Sequence, residues 1–113
     1  MKHLLRICVA ILALASAAHA QTYVAGIDDL PLMPGLADQD GFVFDKPEGR
    51  IVETVAVGAM RPQAVAEYYA KVLPQLGWRP APDGSYMRDN ERLRIAARED
   101  GARVTVQFTL SPN

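Results

Sequence analysis

Residues 92–110 read RLRIAAREDGARVTVQFTL. Leu93, Ile95 and Ala97 alternate with Arg92, Arg94, Ala96 and Arg98; beyond Asp100-Gly101, Val104, Val106, Phe108 and Leu110 alternate with Arg103, Thr105, Gln107 and Thr109. A period of two is that of a strand with one buried and one wet face. Asp-Gly is a favoured pair for a two-residue hairpin turn. With Asp100 and Gly101 as the turn, Ala97 faces Val104, Ile95 faces Val106 and Leu93 faces Phe108. All three apolar pairs then share one face. Arg98 is set opposite Arg103, two like charges that repel slightly.

Working outward, residues 85–88 read as a short strand closed by the Asp89-Asn90-Glu91 turn, and residues 78–84 turn back through Pro80, Pro82 and Asp83-Gly84. Before them, Val65, Tyr68, Tyr69, Val72, Leu73 and Leu76 recur at steps of three and four, one apolar stripe of a helix. Pro62 suits its first turn. Pro74 cannot donate within a helix, so the regular helix is expected to end near Leu73, with a tight last turn stopped at Gly77. Residues 51–57 are β-branched and apolar on both faces, which predicts a central strand covered on both sides. A Pro47/Gly49 turn separates it from a short strand at Phe42-Val43-Phe44. The expected fold class is α+β: a single antiparallel sheet with one helix packed on one face, in the order β-β-α-β-β-β.

Residues 21–40 show neither period. Pro31 and Pro34 keep this backbone extended, but Ile27, Leu30, Leu32, Met33 and Leu36 are too apolar for a solvated linker. The segment reads as a strap packed on the domain at 41–113, the alternative being a Pro-rich ligand for a partner's groove.

Residues 1–20 have the layout of a cleavable export signal: Lys2 and Arg6, an apolar run, then the small-x-small site Ala18-His19-Ala20. The run is shorter than the roughly 20 residues a membrane span needs. Cleavage would leave about 93 residues and remove Cys8, His3 and His19, every cysteine and histidine in the chain. The expected setting is exported, a bacterial periplasm first and the extracellular space second. No transmembrane segment is expected after cleavage.

The exported part would carry 10 bases against 13 acids. Residues 21–49 hold six acids and one base; residues 50–113 hold nine bases and seven acids. An acidic front and mildly basic back suit mutual packing and argue against a nucleic-acid partner, which calls for a basic domain.

Chemistry has little to work with. Ser85 and Ser111 would be the only serines, with no histidine to activate them, and Lys46 and Lys71 sit in a turn and on the polar helix stripe. Acids pair as Asp28/Asp29, Asp38/Asp40 and Asp45/Glu48, all read as loops of a domain too small for a deep cleft. Asp38-Gln39-Asp40-Gly41 resembles the start of a calcium loop without its later ligands. No catalytic residue, metal site or cofactor is assigned. Two constellations stand out. Arg92, Arg94, Arg98 and Arg103 form a basic strip suited to an anionic partner, or else a solvated face partly neutralised by the acidic front. Tyr68, Tyr69 and Trp78 either line a pocket or serve as packing, with one of the two tyrosines less buried than the other.

The run Tyr68-Tyr69 followed by Leu73-Pro74-Gln75-Leu76-Gly77-Trp78 resembles a helix signature of small exported bacterial proteins of unknown function, and the segment from Leu30-Pro31 to Gly35-Leu36 resembles its lead-in. The resemblance implies the α+β fold and an envelope setting, and carries no activity. The expected role is a non-enzymatic binding or accessory module meeting an envelope protein or anionic envelope component. Alternatives are a carboxylate-only enzyme acting on envelope glycans and a structural domain with no ligand of its own.

Overall fold

A computed structural model of the chain describes residues 21–113. The expected export signal at 1–20 lies outside the described residues. Six strands form one antiparallel sheet: β1 (Leu36–Lys46), β2 (Gly49–Gly58), β3 (Arg79–Pro80), β4 (Tyr86–Arg88), β5 (Glu91–Asp100) and β6 (Arg103–Pro112). One helix, α1 (Pro62–Gln75), connects β2 to β3. The spatial order β1-β2-β6-β5-β4-β3 puts β6 and β5 at the centre, with β2 interior beside β1, and leaves β1 and β3 as edges. The α+β sheet-and-helix architecture matches the sequence expectation, with the two-residue β3 as an additional strand.

The hairpin that anchors the reading forms one register away from the one expected. Asp100 pairs with Arg103, Ala97 with Val106, Ile95 with Phe108 and Leu93 with Leu110, so the turn residues are Gly101-Ala102. Gly101 alone takes positive φ, +66°. A turn with positive φ only at its first central position is the II′ type, for which Gly-X is the favoured pair. Asp100 thereby stays in the strand, and Arg98 faces Thr105 rather than Arg103. The apolar face survives because the slip moves each partner by two residues, which preserves parity.

Both covering elements lie on one face of the sheet. From α1, Val65, Tyr69 and Leu73 are buried, and the Tyr69 ring meets the Phe108 ring edge-on at 5.5 Å. Beneath lie Val52 and Ala56 of β2, Val104, Val106, Phe108 and Leu110 of β6, and Leu93 of β5. The other face of β2, Ile51, Glu53, Val55 and Val57, stays half-exposed. The expectation of a strand covered on both sides is therefore corrected. β2 is interior to the sheet, between β1 and β6, but nothing among the described residues is stacked on its second face.

α1 runs two residues past the expected stop. Pro74 costs little there, because Ala70, whose carbonyl loses a donor, is exposed to water. The end is a Schellman motif. Trp78 N–H donates to the Leu73 carbonyl (3.0 Å), Gly77 N–H donates to the Pro74 carbonyl (3.2 Å), and Gly77 holds φ +91°. The motif's apolar contact pairs Leu73 with Trp78, both buried.

The strap is packed, as expected from its side chains. Ile27 and Leu30 are fully buried, with Val24, Leu32 and Leu36 nearly so. Burying a side chain of this size stabilises by roughly 1.5–3 kcal/mol. It folds on itself: Val24 N–H donates to Leu30 O, and Leu32 N–H to Thr22 O, each at 2.8 Å. It is fastened to α1 by one hydroxyl, since Tyr69 Oη donates to Pro31 O (2.8 Å) and accepts from Met33 N–H (3.0 Å). The strap gives way to strand at Leu36, earlier than the boundary at residue 40. Residues 36–40 pair with β2, with a bulge between Asp38 and Asp40.

Candidate functional site

The two sheet edges differ. β3 is two residues long and one of them is Pro80, which cannot donate; short strands and proline are devices that close an edge to pairing. β1 is eleven residues long and, apart from Leu36, exposed along its whole length. It carries the large apolar side chains Phe42, Val43 and Phe44, at 50%, 49% and 54% exposure. Past the bulge its pairing with β2 is regular from Asp40↔Val55 to Lys46↔Gly49.

Lys46 and Gly49 close a two-residue turn, so they form a hydrogen-bonded pair. Alternation then points the backbone N–H and C=O of Phe42 and Phe44 toward β2 and those of Gly41, Val43 and Asp45 outward. The side chains alternate too. Val43 pairs with buried Val52, whereas Phe42 pairs with Glu53 and Phe44 with Ile51 on the helix-distal face. There the two phenyl rings meet edge-on at 5.1 Å. A contiguous apolar patch, Phe42, Phe44 and Ile51, thus borders a row of free backbone groups.

The basic strip is one surface in the structure, since Arg92, Arg94 and Arg98 of β5 and Arg103 of β6 share the helix-distal face by register. It is not one cluster of free charges. Asp83 accepts from Arg92 (3.1 Å) and Arg94 (3.0 Å), while Arg92 also donates to Ser85 Oγ (2.6 Å) and Asn113 Oδ1 (3.1 Å). Hydrogen bonds from the Ser85 hydroxyl and then its backbone N–H, helped by Arg94 and Arg92, pull the Asp83 carboxyl down to about 2. Arg98 and Arg103 are exposed and make no ion pair among the described residues. The neutralising acid therefore comes from the loop before β4. The acidic front supplies one contact of its own elsewhere, Asp29 with Arg88 at 2.8 Å.

The three aromatics do not converge. Trp78 is buried with Arg88 stacked over its ring at 4.3 Å, and its Nε1–H has no partner. Tyr69 is buried and Tyr68 half-exposed, their rings 4.9 Å apart. Burial pushes the Tyr69 phenol well above its ordinary range, against the opposing hydrogen bond from Met33. Tyr69 also lines a groove of about 470 Å³ between α1 and β5, with Val65, Tyr86, Ile95 and Ala97.

Of the paired acids, Asp38, Asp40 and Asp45 lie exposed on β1 rather than in loops, and Asp28 is exposed. Among the described residues, no three His, Cys, Asp or Glu side chains are grouped to hold a metal ion. No described helix is long and apolar enough to cross a membrane. The residues that sequence reasoning missed as a site are Phe42 and Phe44. Their signal was the alternation Phe-Val-Phe in an otherwise acidic segment, on the first strand in chain order. Comparison with family models, with curated proteins and with solved structures finds no match in any of the three.

Proposed function

We propose that the protein is an exported, non-enzymatic binding module that docks a protein partner by adding a strand to the open edge of β1. The observation that carries this reading is the asymmetry of the edges: β3 is blocked by its shortness and Pro80, while β1 offers free backbone groups beside Phe42 and Phe44. Strand addition takes affinity from main-chain hydrogen bonds and specificity from alternate side chains, and both are present on β1. A natural protein manages an exposed apolar edge unless the edge is used. The export signal at 1–20 and the resemblance to small exported bacterial proteins support an envelope setting, periplasmic in the first instance, and the absence of histidine and cysteine after residue 20 supports the non-enzymatic reading. A docking role for the basic strip is narrowed to Arg98 and Arg103, because Arg92 and Arg94 already serve Asp83.

A photo-crosslinking residue at Phe44, in the intact chain and in cells, tests the reading. Val43→Pro removes one outward N–H without touching the β1–β2 hydrogen bonds. Adducts formed at Phe44 and lost with Val43→Pro are expected. Adducts unaffected by the proline, or none at all, would refute strand addition.

A further inference from the structure

We infer that the strand received by β1 is β1 of a second copy, paired antiparallel about a two-fold axis at Val43. This rests on the strand-addition reading and names its partner. The segment from Asp40 to Lys46 is the regular part of β1. Set against itself in reverse and centred on Val43, it opposes Asp40 to the partner's Lys46, Phe42 to the partner's Phe44, and Val43 to its own equivalent. The two charges at the ends of the segment are opposite in sign, so the symmetric pairing makes two complementary charge pairs and no like-charge pair. Cross-strand pairs of opposite charge and of aromatics are the ones that favour a sheet.

The backbone agrees independently. Gly41, Val43 and Asp45 point their N–H and C=O outward, as the alternation set by the Lys46–Gly49 closing pair requires. In the Val43-centred register these residues meet one another, Val43 with Val43 and Gly41 with Asp45, so outward groups face outward groups at every position. Shifting the register by one residue would oppose outward groups to inward ones. Asp40, Phe42, Phe44 and Lys46 all lie on the helix-distal face, so the four phenyl rings of a dimer gather there in one cluster. The pairing would cover Phe42 and Phe44 on that face and set Val43 against its own equivalent on the other.

The other edge decides between closure and growth. A head-to-tail assembly would need β3 as acceptor, and Arg79–Pro80 offers two residues and one missing donor. The β1 edge can meet only another β1, which gives an isologous, closed pair rather than a fibre. Upstream, the bulge between Asp38 and Asp40 ends the regular edge; downstream, Pro47 does. Together they confine pairing to the self-complementary seven residues.

The test uses sedimentation equilibrium of the purified protein, with circular dichroism to show that each variant is folded. Wild type is expected to be a dimer. Asp40→Lys alone and Lys46→Asp alone each place like charges opposite one another twice, and each should weaken dimerisation about tenfold or more. An equimolar mixture of the two variants restores every charge pair and should form the heterodimer at near wild-type strength, a recovery that a merely destabilised fold could not show. In a Cys8→Ser background, Val43→Cys should form a disulfide-linked dimer on oxidation, since directly opposed residues stand about 5.5 Å apart at Cα. Phe42→Cys, offset from its own equivalent, should not. A wild-type monomer, or a dimer indifferent to both charge changes, would overturn the inference. If Phe44 adducts with a protein of another mass are nonetheless lost with Val43→Pro, strand addition itself stands and only the second copy is refuted.

Discussion

Tyr69→Phe removes one oxygen and so tests what fastens the strap. In the folded protein that oxygen donates to Pro31 O at 2.8 Å and accepts from Met33 N–H at 3.0 Å. The ring itself stays, so its contact with Phe108 and its buried area are kept. A net hydrogen bond contributes roughly 1 kcal/mol, and a partner left buried and unpaired costs roughly 1–3 kcal/mol. Pro31 and Met33 are half-buried, so water reaches their freed groups in part, and the expected loss is about 2 kcal/mol. For a domain of this size that is a large share of a total on the order of 5–14 kcal/mol, and about 8–16 °C in Tm. Urea denaturation followed by circular dichroism measures it. A smaller m-value in the variant would place the loss in the strap, already released before global unfolding. The sign with pH follows from the raised phenol. Its folded-state pKa lies above the unfolded value near 10, so the stabilisation is complete below pH 10 and is lost as pH rises toward the folded value. Wild type should therefore weaken above about pH 10 by more than Tyr69→Phe does. A loss under about 0.5 kcal/mol, with identical alkaline limbs, would refute the latch.

Trp78→Ala should cost about 3–5 kcal/mol in urea denaturation, since it empties the site between the helix end and Arg88; a cost below about 1 kcal/mol would contradict the burial. Gly101→Val meets no neighbour with its added Cβ, so its cost is backbone strain alone, about 1–2 kcal/mol by the same measurement. Asp83 is held at about 2 against an ordinary 3.8, so it stabilises above pH 4 and releases that contribution as pH falls through 2. Asp83→Asn should flatten the acid limb of a stability–pH profile, and an unchanged limb would show that the Ser85–Arg92–Arg94 network does not couple to folding.

Much of the sheet is legible because a period of two survives even a mistaken register. Leu93, Ile95 and Ala97 face the core whether Asp100-Gly101 or Gly101-Ala102 makes the turn, so alternation cannot choose between them. The choice lies in the backbone angle of one glycine. Asp38, Asp40 and Gly41 are poor strand formers, and pairing with β2 overrides their propensity, which hid the N-terminal half of β1. The strap was legible from its apolar side chains, but the Tyr69 latch joins residues 36 and 38 positions apart and leaves no local trace. The strip of Arg92, Arg94, Arg98 and Arg103 shows in the sequence as alternation; Asp83, which takes two of the four, reaches them from a loop. Phe42 and Phe44 were visible as a strand, yet their standing at an edge depends on strand order, a property no single segment encodes.

Amide hydrogen exchange across a dilution series addresses β1 most directly. Gly41, Val43 and Asp45 are expected to be protected at high protein concentration and to exchange freely on dilution, while Phe42 and Phe44, bonded to β2, stay protected throughout. Exchange at Gly41, Val43 and Asp45 that is fast at every concentration would contradict the pairing of β1 between copies.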